Sequence, residues 1–267
     1  MAIKVKKFAE YIEEIAPIEL KESYDNVGLA IGNKEDSIEG ILVALDVTLE
    51  VIEEAKGKGA NLIFSHHPLL FRKPETITTD TLQGKKIIEL IRNNINVYSA
   101  HTNLDSVEGG LNDIIVNILG YEDSAIIEGK NGYEGCGIGR IVELQDKITL
   151  KEVCRNIRMK LQTPFLRVAG DMYSTVSKIA IINGSGQDYF EEAKKLGADL
   201  IITGDTSYHY VSDYKEMGMS IIDITHFSCE WPLFKKFFEG IEKNLKEMDS
   251  DLKIYISEKS REPYSVY

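Results

Sequence analysis

The 267-residue chain is short of three things. Cysteine occurs only as Cys136, Cys154 and Cys229, with no CxxC pair. An odd and scattered set excludes a disulfide framework or a thiolate zinc knuckle, and fits a reducing compartment. No apolar run approaches the roughly 20 residues needed to cross a bilayer. The opening MAIKVKKFAEYIEEIAP is too polar for a signal peptide and has helical periodicity instead. The expected location is the cytoplasm. Positive charge is the third deficit: 31 Lys and Arg face 43 Asp and Glu, for a net charge of −12. That field repels a phosphate backbone and excludes broad electrostatic binding of long nucleic acid. A small anionic substrate stays open where bound cations reverse the field locally. No Walker A pattern, GTPase signature or guanine-reading motif is present.

What remains is ordinary globular composition, 43% hydrophobic and 28% charged. Short apolar runs alternate with helical periodicity. The spacing predicts a helix over 4–15 stopped by Pro17, a strand at Ile41–Leu45, and a helix from a Thr48 cap through Lys56. A strand at Asn61–Ser65, a helix at Lys85–Asn93, a strand at Ile95–Ser99 and a helix at Asn112–Leu119 follow. The second half repeats the order. Strands are expected at Ile141–Glu143, Ile179–Ile182, Leu200–Thr203, Ser220–Ile224 and Leu252–Ser257. Helices are expected at Leu150–Leu161, Asp188–Leu196, Val211–Met217 and Pro232–Met248. Apolar runs without polar alternation indicate strands covered on both faces, hence an α/β fold with mostly parallel sheets.

An internal repeat sharpens this reading. EEAKGKGANLI at 53–63 and EEAKKLGADLI at 191–201 share eight of eleven residues at an offset of 138, and the same offset lays ILVAL at 41–45 over IAIIN at 179–183. Two similar lobes are expected, residues 1–125 and 126–267, with the C-terminal strand and tail in the second and their strand ends around a shared metal cleft. The span from Leu119 to Thr149 is too short for an inserted middle domain.

The chemistry gathers at the strand ends, where α/β sheets carry their ligands. His66 and His67 end one strand and His101 follows the next. In the second half Gly204-Asp205 and His226 hold the matching places, and Asp105 and Glu230 each lie four residues beyond a histidine. Neighbours in an extended segment point opposite ways, so His66 and His67 suit two ions, or one ion and an outer role. His226 and Glu230 share a helical face. Asp105 and Glu230 are carboxylates suited to bridging two cations. Imidazole and carboxylate without thiolate points to Zn, Mn or Fe rather than Ca or Mg. For each histidine alone, packing is the competing explanation. His209 is read either as a proton donor or as a structural residue. Asn183-Gly184-Ser185-Gly186 is either a phosphate turn or plain turn chemistry, and Tyr24-Asp25-Asn26-Val27-Gly28 either shapes the cleft or is an Asx turn. Cys229 is expected to do no more than pack. Trp231 with Phe234, Phe237 and Phe238 forms a stripe that is core by default and a subunit interface otherwise.

Taken in order, YDNVGLAIG, LIFSHHPLLF, AHTNLDSVEGGLND, NGSGQDYFEEAKKLGADLIITGD and HFSCE resemble the NIF-three-like family, whose members are often labelled GTP cyclohydrolase 1 type 2 homologs. The resemblance runs from near Tyr24 to the tail. It implies a duplicated α/β fold, a dinuclear metal centre and a toroidal homohexamer. It further implies His66 and His226 on one ion, His67 and Asp105 on the other, Glu230 bridging, and His101 close to the cluster. Where the family commonly has Trp, Gly and Asp-Pro-Phe, this chain has Tyr24, Thr225 and Glu262-Pro263-Tyr264. The activity implied is hydrolysis of a purine nucleotide ring by a dinuclear metal site, with His101 or His209 moving protons. A metal carrier or regulatory protein, and a nucleotide phosphoester hydrolase, are the alternatives.

Overall fold

A computed structural model describes residues 2–265 and 267. In chain order the elements are α1 (Val5–Ile15), β1 (Gly28–Ile31), β2 (Gly40–Ala44), α2 (Leu49–Lys58), β3 (Leu62–Ser65), α3 (Leu82–Arg92), β4 (Asn96–Ser99), α4 (Thr102–Ser106), α5 (Leu111–Leu119), β5 (Ala125–Gly129) and β6 (Gly137–Thr149). The chain continues with α6 (Leu150–Leu161), β7 (Arg167–Ala169), β8 (Thr175–Ser185), α7 (Phe190–Lys195), β9 (Leu200–Gly204), α8 (Tyr208–Glu216), β10 (Ser220–Asp223), α9 (His226–Met248) and β11 (Lys253–Ile256). None of the helices is long and apolar enough to cross a membrane, among the described residues.

Helix boundaries follow their caps. Thr48 accepts from the Val51 N–H to open α2, and Gly59 closes it in the left-handed conformation. Thr149 and Glu152 form a reciprocal capping box on α6. Helix α3 starts three residues before the expected Lys85 because Thr81 accepts from the Gly84 N–H. Helix α9 begins at His226, and Pro232, the expected start, lies inside it.

The chain forms two compact units, one of residues up to Leu104 together with Phe234 onward, the other Asp105–Leu233. The first holds a sheet in the order β1-β4-β3-β2-β11, and the second one in the order β5-β6-β8-β9-β10-β7. Strands β4, β3, β2 and β11 are mutually parallel, and β1 is antiparallel. In the second sheet only β8, β9 and β10 run parallel, so it is mixed rather than mostly parallel. Its antiparallel pairs are β5–β6, β6–β8 and β10–β7, and the β5–β6 hairpin is turned through Gly132 and Gly135 at positive φ. Strand β6 is far longer than Ile141–Glu143 because its outer half is exposed and carries no apolar run.

The repeat is real at the level of topology. The orders β1-β4-β3-β2 and β7-β10-β9-β8 coincide, each with an antiparallel outer strand. Ile41 pairs with Leu62 and Ile179 with Leu200, the sequence offset of 138 in both strands. Leu62 pairs with Asn96 and Leu200 with Ser220, so β4 and β10 are related by 124. Aligning His101 with His226 needs 125, so one residue is extra. Thr225, with φ 81, stands at that point. The two lobes differ in what flanks the repeat: β6 beside β8, but β11 beside β2. The C-terminal strand, expected in the second lobe, is thus part of the first sheet, with Ile254 on Ile41. An edge position beside the fully buried β2 gives that strand its partner.

Each unit has its own core. One centres on Leu42, Ile63 and Val97, the other on Ala180, Ile201 and Ile221. In the first unit Phe64 also packs on Phe8, Phe234 and Phe238 at ring separations of 5.4, 5.0 and 6.0 Å. Phe234, Phe237, Phe238 and Trp231 are all buried. The aromatic stripe is therefore core, each ring contributing about 1.5–3 kcal/mol by leaving water.

Candidate functional site

In the first unit the sheet ladder continues past the strand ends and carries the histidines with it. His66 and His67 donate backbone N–H to Ala44 and Leu45, and Ala100 donates to Ser65. The three imidazoles converge, with one ring nitrogen from each of His66, His67 and His101 within 4.8 Å of the others. Their rings are 5.1–5.6 Å apart. His66 is fully buried.

Each ring is oriented by an oxygen at Nδ1. For His66 it is the Ala100 carbonyl at 2.8 Å, for His67 Asp46 Oδ1 at 2.8 Å, and for His101 Asp25 Oδ1 at 3.0 Å. A carbonyl or carboxylate only accepts, so in the neutral rings of His66 and His67 Nδ1 carries the proton and Nε2 the lone pair, and the nearby Asp25 carboxylate favours the same tautomer in His101. This is the tautomer a divalent ion requires, with the orienting oxygen found behind metal-bound histidines. The donor set therefore fits a borderline divalent cation, by the chemistry of its atoms and the setting of its rings.

Asp25 is buried and takes the Thr102 N–H at 3.0 Å and hydroxyl at 2.5 Å as well. Burial works to raise its carboxyl, but His101 and Thr102 outweigh it and hold the group well below the usual carboxylate range. The YDNVG segment thus acts through its carboxylate. Tyr24 and Phe71, both exposed, meet edge-to-face at 6.1 Å, and Phe71 abuts the His101 ring at 6.2 Å.

The second unit carries the other expected residues. His226 opens α9, and its Nε2 lies 3.0 Å from Glu230 Oε2, as four-residue helical spacing demands. Asp205 approaches His226 Nδ1 at 3.8 Å. Glu230 is buried at the end of β8, where Gly184 makes room: a Cβ there would sit 2.5 Å from Glu230 Oε1. Asp105 is buried too, and Asn183 Nδ2 donates to its Oδ1 at 2.9 Å. Thr225 takes an unfavourable φ for a β-branched residue and is held by Asp223, which accepts its N–H at 2.9 Å. Cys229 packs, as expected: its Sγ lies 3.1 Å from the His226 carbonyl, and burial pushes the thiol up.

Two expectations find a different setting. His209 is exposed on α8 with its ring against Tyr208, and joins no cluster of metal-ligating groups among the described residues. In the Asn183–Gly186 turn the Gly186 N–H already donates to Thr203 Oγ1, which donates to the Gly184 carbonyl. At Gly186 that turn is thus bonded into the sheet. Asp25, Asp46, Asn112 and Asn183 escape a motif reading as orienting groups. In sequence they are polar residues with no shared spacing to mark them, Asp25 before β1, Asp46 after β2, Asn112 on α5 and Asn183 on β8.

Comparison with known proteins agrees with these features. The Duf34/NIF3 (NGG1p interacting factor 3) family model matches residues 3–263. A Clostridium perfringens protein named GTP cyclohydrolase 1 type 2 homolog is 55% identical over 98% of this chain and 99% of its own. A Clostridium acetobutylicum protein of the same name is 52% identical over 99% of each. The crystal structure of Staphylococcus aureus protein SA1388 superposes with a TM-score of 0.89 at 29% identity, covering 99% of both chains.

Proposed function

The chain belongs to the Duf34/NIF3 family, and from that premise we propose that it is a divalent-metal hydrolase acting on the ring of a purine nucleotide. The observation that carries the metal reading is the three-histidine set of the first unit, whose ring nitrogens converge within 4.8 Å while an oxygen faces each Nδ1. The substrate follows the name borne by its relatives.

His66, His67 and His101 in the first unit, and Asp105, His226 and Glu230 in the second, are the proposed ligands, for two ions of Zn, Fe or Mn per chain. Such ions supply Lewis-acid polarisation and acidify water. The protein's own residues do the rest. Asp46, Asp25 and the Ala100 carbonyl fix the imidazole tautomers, and Gly184 gives Glu230 its place. His101 is thereby assigned as a ligand rather than a proton carrier. In the proposed reaction two waters are consumed, the imidazole part of the purine opens, and C8 leaves as formate. A homohexamer is proposed with it, and the mass in solution by light scattering tests that part.

The deciding experiment measures formate from GTP with metal-loaded protein and counts bound metal in the same samples, with Glu230→Ala as control. Formate from the wild type alone supports the reading. Two ions per chain without formate overturns the substrate and turns attention to phosphoester hydrolysis and metal transfer. Protein that takes up no Zn, Fe or Mn overturns the metal reading itself.

A further inference from the structure

Asn183 and Asn112 form, with Asp105, a closed buried triangle in the second unit. Asn112 Nδ2 donates to the Asp105 carbonyl at 3.0 Å, Asn112 Oδ1 accepts the Asn183 N–H at 3.0 Å, and Asn183 Nδ2 donates to Asp105 Oδ1 at 2.9 Å. Asn112 is fully buried, and Asn183 and Asp105 are each 8% exposed. The orientation of the Asn183 amide is set by chemistry. A carboxylate only accepts, so the NH2 must face Asp105 and the oxygen must face elsewhere. That oxygen is buried and has no hydrogen-bond partner among the described residues. A buried acceptor left unmet within the protein is uncommon, because the unmade bond is costly, and it calls for an explanation. The next residue, Gly184, is the one whose missing side chain admits Glu230. Two consecutive residues near the end of β8, Asn183 and Gly184, thus adjoin the two carboxylates assigned to the metal.

We propose that Asn183 is a positioning residue of the metal site: its amide N–H locks the Asp105 carboxylate in one rotation, and its buried oxygen is the neutral acceptor that the bound state satisfies. The proposal rests on the metal reading above. Asn112 fixes the backbone on which the lock sits, so the side-chain function can be removed at position 183 while the backbone bond survives.

The test titrates metal-stripped protein with Mn2+ alone and counts unbound ion by electron paramagnetic resonance, for the wild type, Asn183→Ala and the near-isosteric Asn183→Leu. Both variants should bind Mn2+ about 10–100-fold more weakly, the usual loss when an orienting group behind a ligand is removed. The unfolding midpoints of the metal-free proteins report whether the fold has survived. In an Asp105→Ala background the same substitutions should weaken Mn2+ binding clearly less than in the wild type, because the carboxylate they orient is gone and only the part of the oxygen remains. Wild-type affinity in a folded Asn183→Leu protein overturns the proposal, as does an equal loss with and without Asp105. Should Asn183→Ala fail to fold, Asn183→Leu, which fills the same space, decides. A wild type that binds no Mn2+, Zn2+ or Fe2+ fails the metal reading instead.

Discussion

Asp25→Asn changes one atom and discriminates sharply. The carboxylate accepts the Asn26 N–H at 2.8 Å on Oδ1, which also lies 3.0 Å from His101 Nδ1, and the Thr102 N–H at 3.0 Å and hydroxyl at 2.5 Å on Oδ2. An amide brings one oxygen and two hydrogens to these donors. With its NH2 towards Thr102, it sets two donors face to face in a buried place. With its oxygen there, it meets the half-buried Asn26 N–H, which water can reach, and His101, which can answer only by accepting. The second pose costs less, about 1–2 kcal/mol for one weakened and one displaced bond. The variant should therefore fold, with its thermal midpoint lowered by roughly 2–8 °C. Its His101 ring should move the proton from Nδ1 to Nε2. Nitrogen-15 NMR of the ring in the metal-free protein separates the two tautomers directly. Metal affinity should fall with the switch, since a protonated Nε2 cannot ligate. A His101 ring that keeps its Nδ1 proton in the variant refutes the argument that Asp25 sets the tautomer.

Other substitutions test other links. Gly184→Ala places a methyl 2.5 Å from Glu230 Oε1 at a φ of +65. It should cost about 1–2 kcal/mol of backbone strain and reduce bound metal per chain, and full occupancy by elemental analysis would count against the Gly184–Glu230 fit. Asp113→Ala leaves the buried Arg140 guanidinium with only the Gly137 and Gly139 carbonyls. Urea unfolding should show a loss of about 3–5 kcal/mol, largely recovered when both residues become apolar. Glu54 accepts from the Ser257 hydroxyl at 2.7 Å and the Glu258 N–H at 3.0 Å, tying the tail to α2. Burial works to raise its carboxyl, but these bonds and Lys58 prevail and lower it. A lowered folded pKa contributes stability above the unfolded value that is lost as pH falls through the folded one. Glu54→Gln should therefore cost about 1 kcal/mol at neutral pH, and the difference should vanish well below about pH 4. A cost that does not change with pH removes the charge from the explanation.

The parts of the fold legible in sequence are those whose signal is local. The strands of both parallel cores are unbroken apolar runs, and the repeated EEAK helix with its closing glycine shows at once. Strands β1 and β7 do not, because edge strands of four and three residues with half-exposed side chains have no pattern to give. The start of α9 fails for a related reason. Proline normally marks the first turn of a helix, yet Pro232 lies inside one that opens at His226, where the Thr225 hydroxyl accepts the Ser228 N–H at 3.2 Å. Thr225 does so at a φ of 81, one residue out of step with the other lobe. The donors are legible by the same rule, since strand ends are local. Their orienting partners are not: Asp46 lies 21 residues from His67, Asp25 77 from Thr102, and Asn183 78 from Asp105. A histidine's place in a strand tells where its ring is, whereas the distant oxygen tells which nitrogen is basic. Only the folded chain supplies the second, and the proposed metal site would depend on both. Variants at Asp25, Asp46 and Asn183 should therefore alter metal binding while leaving every motif in the sequence intact.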